Sequence, residues 1–163
     1  MPGKKKLLIA TTNRGKLNEL RALLGDLPFS IVSMSEVGLT KDVEETGSSL
    51  EENARLKALT YSRLSGLLTV SDDSGLEVDA LGGEPGHKSA RYAGKDANDE
   101  DRRAFLLSKL QDVSKELWMA RFRCVIALAE PNGCVELFEG VCNGRLVQDS
   151  RGNNGFGSVS YTH

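Results

Sequence analysis

Short apolar runs and helical hydrophobic patterns alternate along the first third of the chain. Residues 6–11 form a brief apolar run that ends in threonines, which predicts a buried strand. In residues 15–24 the leucines recur three or four positions apart and a glycine follows, which predicts an amphipathic helix. Residues 29–34 predict a second strand and residues 35–48 a polar loop. The order strand, helix, strand is typical of an α/β domain.

The strongest helical pattern covers residues 50–64. Ser49 and Glu52 have the spacing of a capping box at its start. After this helix, residues 68–71 predict a third strand, which we expect to stop at the polar sequence of residues 72–75.

The remaining pattern predicts one more helix and a hairpin. Residues 77–81 predict a fourth strand that ends in a glycine-rich turn over residues 82–86. An asparagine cap and three acidic residues introduce a helix over residues 99–111. Apolar residues alternate over residues 120–128, and a Pro-Asn-Gly turn returns the chain over residues 135–141. Helical crossovers together with a hairpin predict an α/β fold with a mixed central sheet flanked by helices.

Composition narrows the class of protein. The 163 residues suffice for a single domain over residues 1–163, and the 21 basic against 23 acidic residues argue against a nucleic-acid-coating protein. Only four apolar residues follow the N-terminal lysines, and no apolar run is long enough to span a bilayer. Three cysteines without C-x-x-C spacing and two histidines indicate neither a disulfide framework nor a zinc site. We therefore expect a cytoplasmic protein that binds neither nucleic acid nor membrane.

The first candidate site is the junction between the first strand and the first helix. Backbone N–H groups at a helix start, beside hydroxyl, amide and lysine side chains, can form a phosphate cradle. The sequence is not a P-loop, and a polar helix cap with a solvated lysine explains it equally well. The segment comprises Thr11, Thr12, Asn13, Arg14, Gly15 and Lys16.

Two acidic pairs form the second candidate site. Glu44 and Glu45 lie in the polar loop before the second helix, whereas Asp72 and Asp73 follow the third strand. Ligands of open α/β sheets collect outside the carboxyl ends of strands, where carboxylates could hold Mg²⁺ together with substrate phosphates. The alternatives are a solvated acidic loop for the first pair and a turn with Asx hydrogen bonds for the second.

The second helix carries a lysine in an unexpected place. On a helical wheel Lys57 falls inside the apolar arc and Asn53 falls at its edge. Either Lys57 extends past its neighbours to water, or both side chains point into an anionic cleft where phosphates or carboxylates pair with the ammonium.

Two glycine-rich segments leave their roles open. Residues 82–94 hold cations and an aromatic residue and could cover a substrate or form a surface loop, in which His87 is solvated. Phe156, flanked by glycines in residues 152–157, could stack on a planar base or belong to a frayed terminus.

Taken together, these segments resemble the inosine triphosphate pyrophosphatase family, which hydrolyses non-standard purine nucleotides. Seven segments occur in the order and spacing of that family between residues 6 and 157. They are Thr11-Thr12-Asn13-x-Gly15-Lys16, Glu44-Glu45-Thr46-Gly47, Glu52-Asn53-Ala54-x-x-Lys57-Ala58, Asp72-Asp73-Ser74-Gly75-Leu76, Gly82-Gly83-x-Pro85-Gly86, Ser89-Ala90-Arg91-Tyr92 and Gly155-Phe156-Gly157.

The resemblance implies a Mg²⁺-dependent homodimeric enzyme that converts ITP, dITP and XTP to the monophosphate and pyrophosphate in a cleft between two lobes. It implies catalytic roles for Asp73, with Lys16 and Lys57, and a metal site drawn from Glu44, Glu45, Asp72 and Asp73. It implies substrate contacts from Thr11, Thr12, Asn13, Arg14, Gly15, Lys16, Asn53, Lys57, Ser74, Arg91, Gly155, Phe156 and Gly157. Phosphoryl transfer depends chiefly on positioning and charge neutralisation, which such a set supplies.

The chain departs from the family after Gly157, where the family continues with Tyr-Asp-Pro, a further strand and a terminal helix. Here six other residues follow, so we expect the domain to lack the segment that supplies much of the purine pocket. The alternative function is a weakly active or inactive form that binds nucleotide or a partner chain without turnover. A related enzyme for modified pyrimidines is less favoured, because residues 52–58 and 89–92 fit the purine-specific branch better.

Overall fold

The computed structural model describes residues 3–148, which contain five strands and three α-helices. Short 3₁₀ turns lie at Ser35–Val37, Asp79–Leu81, Gly86–Arg91 and Lys115–Leu117. The longer elements, in chain order, are β1 (Lys5–Ile9), α1 (Arg14–Leu24), β2 (Phe29–Ser33), α2 (Leu50–Ser65), β3 (Leu68–Val78), α3 (Asp99–Lys109), β4 (Met119–Ala129) and β5 (Val135–Arg145).

The strands form one sheet in the order β2-β1-β3-β4-β5. β1 runs parallel to both of its neighbours, so that Leu7 lies opposite Ile31 on one side and Leu68 on the other. β4 and β5 are joined by a tight turn in which the Glu130 N–H donates to the Cys134 carbonyl. Parallel crossovers combined with a hairpin confirm the mixed α/β fold expected from the sequence. No helix within the described part of the chain is long and apolar enough to cross a membrane.

The chain divides into two compact units, the first comprising Met1–Asp73 with Val125–Phe138. In this unit α2 packs with its small residues Ala54 and Ala58 against apolar side chains of β4. The aromatic ring of Tyr61, from the last half of the same helix, packs with Leu8 of β1. The helix begins at Ser49, whose hydroxyl accepts the Glu52 N–H at 3.1 Å. The carboxylate of Glu52 reaches Ser48, so only half of the expected capping box forms on Ser49.

The second unit comprises Ser74–Cys124 and Glu139–His163. Its helix α3 is closed at the start by a reciprocal capping box between Asn98 and Asp101. The core contains Leu76, Val78, Leu106, Leu110, Trp118, Ala120 and Leu146, all buried. The prediction of a helix after Asn98 is therefore confirmed.

β3 differs from the sequence-based prediction. A strand ending at residue 71, a polar turn and a separate strand over residues 77–81 were expected, but Leu68–Val78 is one continuous strand. Asp72 and Asp73 are both buried within it. Their carboxylates have lysine partners from helices distant in sequence, so burial does not leave them uncompensated. The expected Asx turn at this position is thus wrong.

Candidate active site

The junction between β1 and α1 leaves the sheet next to β3. The Ala10 N–H donates to the Val70 carbonyl at 2.8 Å, and the Ser71 hydroxyl donates to the Ala10 carbonyl at 3.2 Å. These bonds fix the point where the chain leaves the sheet immediately beside the acidic residues of β3. The following turn is therefore carried on a rigid part of the first unit.

Asn13 organises this turn as the N-cap of α1. Its side-chain oxygen accepts the Lys16 N–H at 3.1 Å, and the Thr11 hydroxyl accepts the Asn13 N–H at 3.2 Å. Thr12 and Arg14 are exposed, and Gly15 is half-buried. The helix cap is confirmed, but the solvated lysine that went with that interpretation is wrong, because Lys16 pairs with Asp72. The same geometry presents polar side chains around a helix start, as anion binding requires.

Lys16 ties the first turn of α1 to β3. Its ammonium lies 2.6 Å from Asp72, whose side chain is only 7% exposed. Because successive side chains of a strand point to opposite faces, Asp72 and Asp73 pair with different lysines, Lys16 and Lys57. This bond holds one lysine close to the carboxyl end of β1.

Lys57 of α2 lies between two carboxylates. Its ammonium is 2.8 Å from Glu45 and 3.8 Å from Asp73, and its side chain is only 13% exposed. Burial alone would lower the pKa of Lys57, but the negative charges of Asp73 and Glu45 outweigh it and raise that pKa above its ordinary value. Of the two interpretations of Lys57, extension into water is wrong, and pairing with carboxylates is what the structure contains.

Asp73 has a strongly perturbed carboxyl group. Burial raises the pKa of Asp73 to about 6, and the nearby Glu45 carboxylate acts in the same direction. Lys57, the Asn53 amide and Lys16 oppose this rise. A carboxylate with a pKa in this range can take up a proton near neutral pH, as a general base must.

Glu45 reaches the Lys57 ammonium from the segment over residues 41–47. Asn53, which is fully buried, accepts the Gly47 N–H at 2.8 Å. A Cβ atom at Gly47 would lie 2.5 Å from the Asn53 side-chain oxygen, so only glycine fits this close approach. The Tyr61 hydroxyl also bonds this segment, where it accepts the Val43 N–H. Tyr61 was not among the residues predicted for the site from sequence; its spacing of eight residues from Asn53 was the available signal.

The remaining residues predicted for the site differ in their exposure, in the unit to which they belong, or in whether the structure describes them. Glu44 is exposed, in contrast to its half-buried neighbour Glu45. Ser74 and Arg91 belong to the second unit. Gly155, Phe156 and Gly157 lie outside the described residues. The structure therefore brings together residues of the first unit, namely Lys16, Glu45, Asn53, Lys57, Asp72 and Asp73.

A small cavity of about 60 Å³ adjoins these residues. It is lined by Ala10, Thr11 and Thr12 of the β1–α1 junction, Met34 directly after β2, Asp42 and Glu45 of residues 41–47 (the acidic segment), and Lys57 and Tyr61 of α2. The candidate phosphate cradle and the acidic segment thus border the same space.

The donor set fits a divalent cation that is shared with phosphate. Within residues 3–148 no group of three or more His, Cys, Asp or Glu side chains is arranged to hold a metal ion by itself. Glu45 and Asp73 nevertheless converge on the Lys57 ammonium, a position where positive charge is favoured. Mg²⁺ is commonly bound by one or two carboxylates and completed by substrate phosphates, so two converging carboxylates suffice.

Comparisons with known proteins show the family of this chain. The model of the Ham1 family matches residues 7–158. The dITP/XTP pyrophosphatase of Bacillus licheniformis is 44% identical over 153 residues, which are 94% of this chain and 78% of that protein. The dITP/XTP pyrophosphatase of Desulforamulus reducens is 47% identical over 152 residues, which are 93% of this chain and 76% of that protein.

Solved structures give the same result. The Ham1 protein of Staphylococcus aureus superposes with a TM-score of 0.85 at 39% identity, covering 98% of this chain and 81% of that one. A HAM1 protein from Coxiella burnetii superposes with a TM-score of 0.88 at 38% identity, covering 97% of this chain and 81% of that one. The resemblance read from the sequence motifs is confirmed.

Proposed function

This chain belongs to the Ham1 family, and on that premise we propose that it is a nucleoside-triphosphate pyrophosphatase acting on dITP, XTP and ITP. The names of its relatives, dITP/XTP pyrophosphatase, support this substrate class. The observation that carries the proposal is the largely buried Lys57 ammonium, which is 13% exposed and held between Glu45 and Asp73. A buried cation beside paired carboxylates is suited to the charge changes of phosphoryl transfer.

The lysines and the polar turn bind the triphosphate in this proposal. Lys57 and Lys16 offer positive charge to the phosphate oxygens, and the turn over residues 11–16 contributes hydroxyl, amide and backbone donors at the start of α1. Asn53 and Ser74 support the binding of the triphosphate. Arg91 and residues 155–157 contact the nucleoside part of the substrate. The sequence resemblance to the family supports the role of Arg91 and residues 155–157.

Asp73 acts as the general base. Its carboxylate accepts a proton from water while the water oxygen forms a bond to the α-phosphorus. The bond between that phosphorus and the α,β-bridging oxygen breaks, and pyrophosphate leaves with the bond's electron pair. The products are the nucleoside monophosphate and pyrophosphate. The pKa of about 6, which describes the site without a metal ion, supports this role because the group is ionised at neutral pH and can accept a proton.

The metal in this proposal is Mg²⁺, held by Glu45 and Asp73 together with phosphate oxygens. When bound, such an ion neutralises charge that develops on the pyrophosphate. Asp72 pairs with Lys16 and so fixes the position of that lysine. Glu44 is exposed, so in this proposal it contributes negative charge at the solvent-exposed edge of the site.

The direct test is release of pyrophosphate from dITP in the presence of Mg²⁺, with dATP as the competing substrate. We expect dIMP and pyrophosphate, with a higher kcat/KM for dITP than for dATP. Asp73→Asn should lower kcat by about 100-fold or more, as loss of a general base does. Glu19→Gln removes an exposed carboxylate of α1 and should retain wild-type activity. No pyrophosphate release, or full activity of Asp73→Asn, would refute the proposal.

We propose further that the protein acts as a homodimer in the cytoplasm and binds no nucleic acid. The family resemblance supports the dimer, and the near balance of 21 basic and 23 acidic residues supports the last point. Light scattering after size-exclusion chromatography tests the dimer, since a monomer mass at micromolar concentration would contradict it.

A further inference from the structure

Three side chains on one face of α2 contact the acidic segment in succession. Asn53, Lys57 and Tyr61 are four residues apart, so they lie one above the other on the helix. Asn53 accepts the Gly47 N–H at 2.8 Å, and Lys57 donates to Glu45 at 2.8 Å. The third contact, from Tyr61, is made to Val43 and Lys41. We call these three contacts the α2 ladder.

The Tyr61 contact is a double hydrogen bond to backbone. Its hydroxyl oxygen accepts the Val43 N–H at 3.0 Å, and its O–H donates to the Lys41 carbonyl at 2.9 Å. Both bonds are made by a side chain that is only 1% exposed. A buried hydroxyl that both donates and accepts fixes the backbone on either side of residue 42.

The order of the contacts along the ladder matches the order of the residues along the segment. Four residues of α-helix advance about 6 Å, and the segment bends at Glu45, where the Thr46 N–H donates to the Glu44 carbonyl at 3.1 Å. The segment residues in contact, 47, 45 and 43, are two apart and run in the opposite direction to α2. Each step along the helix therefore meets the next alternate residue of the segment, and Glu45 occupies the middle step.

We infer that Tyr61 is a positioning residue, which, together with Asn53, holds the Glu45 carboxylate beside Asp73 for a divalent cation. This inference rests on the proposed function, in which Glu45 helps to hold the metal. Gly47 limits movement at one end of the ladder, because a side chain there would collide with Asn53. The Tyr61 hydroxyl limits movement at the other end. Without it, one of the three ladder contacts that hold the segment around Glu45 is lost.

Tyr61 also packs in the core with Leu8, Ala10 and Met34, so a purely structural role must be separated from a positioning role. Tyr61→Phe retains the ring and removes only the hydroxyl. Ser62→Ala is the matched control, since Ser62 is the next residue of α2, is fully buried and also bonds backbone carbonyls through its hydroxyl. Its partners, Leu67 and Ala129, lie outside the acidic segment.

The experiment compares both variants and the wild type in binding of Mn²⁺ alone, measured by electron paramagnetic resonance. Tyr61→Phe should weaken Mn²⁺ binding about tenfold, as loss of a group that orients a metal-ligating carboxylate does. Ser62→Ala should bind Mn²⁺ like the wild type. Hydrogen exchange of a peptide covering residues 41–47 should be faster in Tyr61→Phe and unchanged in Ser62→Ala.

A second comparison uses Glu45→Gln. If Tyr61 acts through Glu45, adding Tyr61→Phe to Glu45→Gln should weaken Mn²⁺ binding no further. In dITP hydrolysis, Tyr61→Phe should raise the Mg²⁺ concentration for half-maximal rate and leave kcat at saturating Mg²⁺ close to the wild-type value.

Equal Mn²⁺ binding by Tyr61→Phe and Ser62→Ala would overturn the inference, as would a full effect of Tyr61→Phe in the Glu45→Gln background. If the wild type does not hydrolyse dITP, the proposed function fails, while Mn²⁺ binding and hydrogen exchange still decide the role of Tyr61.

Discussion

Replacing Asp73 by asparagine should make the metal-free protein less sensitive to pH. Burial raises the pKa of Asp73 from 3.8 to about 6, so the folded state prefers the protonated carboxyl more strongly than the unfolded state does. Below about pH 4 the group is protonated in both states and has little effect. As the pH rises, the unfolded chain ionises first, and the free energy of unfolding falls until the folded state ionises near pH 6.

The size of this effect follows from the pKa difference. A change from 3.8 to about 6 corresponds to about 3 kcal/mol when the group is ionised in both states. Most of this loss falls between pH 4 and pH 6. The asparagine variant has no such titration, so its stability relative to the wild type should increase by about 2 kcal/mol between pH 4 and pH 7.

Urea unfolding followed by circular dichroism at 222 nm, in EDTA and at several pH values, measures this difference. The quantity of interest is the change with pH in the difference in free energy of unfolding between the two proteins, because carboxylates distant from Asp73 contribute equally to both. Glu19→Gln, at an exposed position of α1, is the control and should follow the wild type. A gap that stays constant, or that narrows as the pH rises, would refute the assignment of a buried, high-pKa carboxyl to Asp73.

Three further substitutions test the packing around the site and the neighbouring strand. Lys57→Met removes the cation from two carboxylates and should reduce the free energy of unfolding at pH 7 by about 3–5 kcal/mol, measured in urea. Gly47→Ala should reduce it by about 1–3 kcal/mol and accelerate hydrogen exchange over residues 41–47, because the new Cβ meets Asn53; unchanged exchange would contradict this. Gly75→Ala should lower the melting temperature strongly, because its Cβ would collide with the Gly86 carbonyl, whereas Gly140→Ala, with open space around it, should not; equal melting temperatures would contradict the close approach.

The helix α2 shows why part of the site could be predicted from sequence. A lysine inside an apolar arc violates the ordinary amphipathic pattern, and such a violation indicates a partner of opposite charge. That reasoning located Lys57 correctly, because helical periodicity is a local property. The same reasoning did not identify Tyr61, because a tyrosine in an apolar arc satisfies the amphipathic pattern. The partners of its hydroxyl, Lys41 and Val43, are about twenty residues away in sequence.

The strand β3 shows what sequence patterns could not predict. Local propensity assigns Asp72 and Asp73 to a turn, because aspartate is disfavoured in strands and favoured in turns. The structure buries both, since Lys16 of α1 and Lys57 of α2 supply opposite charge from 56 and 16 residues away in sequence. Only the tertiary fold brings these charges together. A strand with two buried carboxylates is a departure from local rules of the kind expected at a functional site.

The charge balance of the cluster constrains which ligand it can accept. Lys16 pairs with Asp72, and Lys57 pairs with Glu45 and Asp73, so the two positive charges already offset two of the three negative charges. A free triphosphate would add several negative charges beside carboxylates, which is unfavourable in a poorly solvated site. A triphosphate that arrives with a divalent cation adds both signs, so that Lys57 can turn to phosphate oxygens while Glu45 and Asp73 turn to the cation. Under the proposed function Lys57, Glu45 and Asp73 thus exchange their ion pairs for ligand contacts while Asp72 keeps Lys16 in position. The metal–nucleotide complex rather than the free nucleotide is then the species that the site favours.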